Sequence, residues 1–124
     1  MSIFVEDTDL IDVSVSYVED GKTITVVELP NDKAKTIKVS FRRPDFATSQ
    51  RLISSSTVAD QNGNSTVNIM MLQNNMIYML AKSWDVKEDS GKPVEVNNEN
   101  ISRMRVEISR ALMNALMQVV GPLL

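Results

Sequence analysis

The chain has 124 residues, with 16 acidic against 13 basic side chains, a net charge of −3 and a 43% apolar share. That length and composition fit one domain, residues 1–124, with a core of its own. Cysteine and histidine are both absent, which excludes disulfides, thiolate nucleophiles, Cys-ligated metals and the commonest general base, while the acidic balance argues against a nucleic-acid partner.

The start, MSIFVEDTDL, is acidic and has no basic region before an apolar run, so no secretory signal is expected. Residues 1–10 are read as a flexible lead-in. No apolar run reaches the roughly 18 residues of a membrane span, and the expectation is a cytoplasmic protein without a membrane partner. From Ile11 the pattern alternates. Ile11, Val13, Val15 and Tyr17 share one face, and Asp12, Ser14 and Ser16 the other. Glu19-Asp20-Gly21-Lys22 is turn chemistry. TITVVEL follows, Pro30-Asn31-Asp32 breaks it, and KTIKVSF alternates again through Ile37, Val39 and Phe41. Period-2 runs separated by turn signals predict an antiparallel β-meander of two hairpins over about 11–42. Its wet face is expected to carry Thr25, Lys35, Lys38 and Ser40.

Pro44 ends the strands and suits a helix start. A short amphipathic helix is expected over about 45–54, with Phe46, Ala47, Leu52 and Ile53 on its apolar face. SSSTVADQNGNST then reads as a mobile loop. A second helix is expected over about 66–83, capped by Ser65 or Thr66. It is apolar on most sides, with Met70, Met71, Tyr78 and Trp84 on one face and Leu72, Met76 and Leu80 on another. Such a helix needs neighbours all round it. DVKEDSGKPVEV is a charged connector. Asn97 or Asn98 caps a third helix over about 98–120, whose stripe runs Ile101, Met104, Ile108, Leu112, Ala115 and Val119, widened by Leu116 and Val120. Gly121-Pro122 ends it. The fold class is α+β, a β part at 11–42 followed by a helical part at 44–124.

Enzyme signatures are missing. The four glycines are isolated turn or cap residues, and no Ser lies in a nucleophile-elbow pattern. Most carboxylates fall in loops or at the N-terminus, where solvation explains them. The acidic stretch 85–92 lacks the alternating ligands of a calcium loop. No catalytic residue, cofactor or metal site is expected. Arg42, Arg43 and Arg51 could form a small basic patch, or a solvated strand end beside an acidic partner. Seven of the eight methionines (70, 71, 76, 79, 104, 113 and 117) fall in the two longer helices. They suit either irregular core gaps or a surface that adapts to its partners.

The order of parts, with VSFRRPDFATSQRL at the strand-to-helix junction and KEDSGKPV before the last helix, resembles the tail assembly chaperones of long-tailed bacteriophages. The resemblance spans roughly residues 23–120. It implies a host-cytoplasmic protein that self-associates, binds and solubilises the tape-measure protein, and helps recruit tail-tube subunits. On that reading Met70, Met71, Ile77, Leu80 and Trp84 are the first candidates for self-association or client contact, with Leu112, Leu116 and Val120 the second. The alternative is a structural virion component such as a tail-tube, neck or baseplate subunit.

Overall fold

A computed structural model describes residues 2–28 and 31–124. The chain runs through β1 (Leu10–Asp20), β2 (Thr23–Val27), β3 (Lys35–Arg42), α1 (Phe46–Ser55), β4 (Thr57–Ala59), β5 (Ser65–Val67), α2 (Ile69–Leu80), β6 (Ala81–Trp84), α3 (Asn98–Ser102) and α4 (Val106–Val120), and closes with a 3₁₀ turn at Gly121–Leu123. The fold is α+β, with four α-helices where three were expected.

The antiparallel strands expected over 11–42 are all present with the first hairpin as expected, but β3 pairs with β1 rather than closing a second hairpin on β2, and alternation sets the register. β1 is long enough to hold both neighbours. Its start, Leu10 to Tyr17, pairs with β3, and its end, Ser16 to Asp20, pairs with β2. The chain therefore passes from β2 to the far side of β1, and the order across the sheet is β2-β1-β3-β6. The register sets Ile11 opposite Phe41, Val13 opposite Val39 and Val15 opposite Ile37 on one face. Asp12, Ser14 and Ser16 meet Ser40, Lys38 and Thr36 on the other. A one-residue slip would turn every apolar side chain to water, so the pattern specifies the pairing. Lys35, expected on the wet face, lies instead on the face of Tyr17, at the sheet margin, where it pairs with Glu19 at 3.2 Å. The break expected at Pro30 falls partly outside the described residues. Beyond it, the Asn31 side chain accepts from the Lys33 amide at 2.9 Å and its carbonyl from the Ala34 amide at 3.0 Å.

The predicted second helix is shorter at both ends. Ser65-Thr66-Val67 pairs with Thr57-Val58-Ala59 as a small hairpin around Gly63, whose φ of +78° suits glycine. The stretch expected to be a mobile loop is thus partly ordered. The helix cap moves to Asn68, whose side chain accepts from the Met71 amide at 3.0 Å. At the other end the backbone turns extended at Ala81, and residues 81–84 pair with β3 across a bulge at Ser40/Phe41. This ladder gives partners to the main-chain groups that β3 would otherwise leave open.

The predicted third helix is two. Ser102 donates its hydroxyl to the Asn98 carbonyl at 2.8 Å, and the Arg103 and Met104 amides bond three residues back. The turn tightens there and the helix stops. Asn97 caps α3 through the Asn100 amide at 2.8 Å.

α4 lies against β1 and β2, while α2 packs on α1, α3, α4, β3 and β6. The near-circumferential apolarity of α2 is thereby used within one chain. One core joins Phe41, Leu52, Met76, Leu80, Leu112, Leu116 and Val120, all at 2% exposure or less. Ser56 is the one buried polar side chain among the described residues. Asn75 of α2 donates to its hydroxyl at 3.0 Å, so the end of α1 is tied to the middle of α2.

Leu116 is enclosed on all sides. Leu116→Ala is expected to cost about 2–5 kcal/mol in urea unfolding. Met70→Ala, on the surface, should change stability by no more than about 0.5 kcal/mol.

Candidate protein-docking surface

The first turn of α2 is fixed from below. Asn68 caps it and donates its own amide to the Ser56 carbonyl at 2.8 Å. From Leu72 onward the spacing of Leu72, Met76, Ile77 and Leu80 turns those side chains into the core. The side chains before Leu72 have no layer opposite them. Met70 is 75% exposed and Ile69 53%, with Met71 also exposed. The hairpin of β4 and β5 runs directly into this turn and adds exposed Val58 and Val67. The register sets Val58 across from Thr66 and Val67 across from Thr57, so these two point to opposite faces of the hairpin. The uncovered apolar side chains on the helix itself are Ile69, Met70 and Met71, and exposed apolar groups gathered in this way mark interaction surfaces.

The eight sequence-predicted interface residues are not brought together. Met70 and Met71 lie on this exposed end. Ile77 and Leu80 are buried in the core beneath it, and Leu112, Leu116 and Val120 are the buried stripe of α4. These five are inner packing residues and offer no surface to a partner. Trp84 is half-buried on β6, and its indole N–H donates to the Val94 carbonyl at 2.6 Å. That bond pins the connector between β6 and α3. The connector itself is hairpin-like, with a bridge between Lys87 and Pro93 and Gly91 at φ +88°.

Phe46 was expected on the inner face of α1 and is 80% exposed. It is the first residue of the helix, and side chains there tilt back towards the N-terminus, away from what the later turns cover. Leu52 alone carries the buried contact of α1. Ile69 was also missed. Its position next to the Asn68 cap was the available signal.

The arginines do converge. Arg42, Arg43 and Arg51 line a cleft of about 330 Å³ together with Lys82, and Glu6, Asp7, Asp9 and Asp45 line the same space. Lys82 donates to the Asp7 carbonyl at 3.0 Å and the Arg43 amide to the Asp9 carbonyl at 3.1 Å. Residues 6–9 thus form a docked turn rather than a free lead-in, held through main-chain carbonyls, and their carboxylates line the same cleft as the cations without an ion pair among the described residues. Of the two readings of the basic patch, the acidic neighbour is supplied by the chain itself. Among the described residues, no three His, Cys, Asp or Glu side chains are grouped as a metal ion requires.

Two carboxylates titrate below their ordinary range. Asp12, on the wet face, is stabilised as the anion first by the Ser40 hydroxyl at 2.6 Å and then by Lys38 at 3.2 Å. Asp45, the cap of α1, is lowered first by the Thr48 backbone N–H at 2.8 Å and then by the Thr48 side chain.

Comparison with known protein families, with curated proteins and with solved structures found no match.

A lowered carboxyl contributes stability above its unfolded pKa and loses that contribution as pH falls through the folded value. For Asp45 the loss is expected below about pH 4. Asp45→Asn keeps a good cap without the titration. Thermal melts should therefore show Asp45→Asn close to wild type at pH 7 and less acid-sensitive. Asp45→Ala should melt lower at pH 7, with the gap to wild type closing as the carboxyl protonates.

Proposed function

We propose that this chain is a non-enzymatic assembly protein of a long-tailed bacteriophage. In that reading it is a tail assembly chaperone that self-associates in the host cytoplasm, binds and solubilises the tape-measure protein, and helps recruit tail-tube subunits. The observation that carries the binding role is the uncovered apolar first turn of α2, Ile69, Met70 and Met71. Two neighbouring methionines there are unbranched and polarizable, and adapt to varied apolar side chains of a helical client. The client class comes from the resemblance carried by VSFRRPDFATSQRL and KEDSGKPV. The first of these strings forms the end of β3, the Arg43-Pro44 turn and most of α1, and the second forms the connector after β6. Among the described residues, no helix is long and apolar enough to cross a membrane, which is compatible with a client met in solution.

The test is co-expression with a long helical tape-measure segment, read by size exclusion with light scattering. A soluble complex carrying several copies per client is expected. Met70→Asp combined with Ile69→Asp should melt as wild type does and lose the client. Failure of the wild-type chain to keep the client soluble overturns the reading, as does a folded double variant that binds normally. Fixed copy number in purified particles would assign the chain to the virion structure instead.

A further inference from the structure

β2 ends the sheet, and among the described residues its outer edge has no strand beside it. Protein edges of this kind are usually blunted by charge, proline, a bulge or shortness. The opposite edge follows that rule. β6 has four residues, carries Lys82, and lies beside a bulge. β2 does not: its five residues, Thr23-Ile24-Thr25-Val26-Val27, contain none of these devices, and Val26 is exposed.

The outward-facing groups of β2 follow from its hairpin. Gly21 has φ +62° and Lys22 a negative φ, the pattern of a two-residue II′ turn closing Asp20 on Thr23. In such a ladder alternate residues spend both main-chain groups on the neighbour. Thr23, Thr25 and Val27 therefore bond to β1, and Ile24 and Val26 present their N–H and C=O groups to the free side.

We propose that β2 is the seam at which two copies of this chain pair, antiparallel about a two-fold axis through Thr25. The registers differ in what they oppose. Centring on Thr25 sets Ile24 against the partner copy's position 26 and Lys22 against its position 28, a glutamate. Apolar meets apolar and opposite charges meet, twice by symmetry. Centring one residue earlier sets Asp20 against Glu28, and one residue later sets Ile24 against Glu28. Neither Lys22 nor Glu28 has an ion pair among the described residues. Both helical layers fall on the same side of the joined sheet. The result is one eight-stranded sheet carrying two client-binding ends.

This deepens the self-association in the function proposed above, but it rests on β2 alone and is tested without any client. Light scattering over a concentration series is expected to give a dimer. Lys22→Glu and Glu28→Lys should each weaken it by on the order of tenfold, and the double reversal should restore it. Val26→Lys should give a folded monomer, while Met70→Asp should leave the dimer intact. Ile24 and Val26 amides should be protected from hydrogen exchange in the dimer and exposed in the Val26→Lys monomer. A monomer at every concentration overturns the proposal. So does a dimer indifferent to Val26→Lys, or a double reversal that restores nothing.

Discussion

The twelve residues of α2 turn one narrow strip to water, Asn74 and Tyr78 in line with Met70, and most of the rest of the helix is apolar and needs cover. The rest of the fold is arranged around that constraint. α1 covers one flank, α4 the other, and β3 with β6 form the floor. Where the cover runs out, at Ile69 and Met70, apolar side chains remain outside. The exposed end and the core are therefore two parts of one helix surface, divided by where the neighbouring elements stop.

That division explains which parts of the structure were legible in the sequence. Alternation in β1 and β3 states both the strands and their inner faces, because period 2 admits one buried face. The buried series Ile108, Leu112, Leu116 and Val120 was visible within a wider helical stripe, of which Val119 proves 46% exposed. Whether that stripe faced inward or a partner was not, because a monomer core and an interface use the same residues. Ile77 and Leu80 were misjudged on the same ground. Met70 and Met76 show the limit most sharply. They are chemically identical and lie six residues apart on one helix, yet one is largely exposed and the other fully buried.

The boundary errors have a different origin. Ala81-Lys82-Ser83-Trp84 continues a helical pattern by composition, and it becomes a strand because β3 offers an open ladder. Tertiary pairing overrides local preference there. The break at 103–105 contains neither glycine nor proline. It rests on the Ser102 back-bond and on the contact of the same hydroxyl with Tyr78 at 2.7 Å, 24 residues away in sequence. Such a bond leaves no periodic trace.

Trp84 is the chain's single tryptophan; its indole N–H donates to a carbonyl of the connector while its side chain packs against the margin of the core. Its emission consequently senses two surroundings at once, the connector at residues 85–94 and the edge of the core. An emission change that precedes the loss of far-ultraviolet dichroism would mark the connector leaving the sheet edge before the core opens.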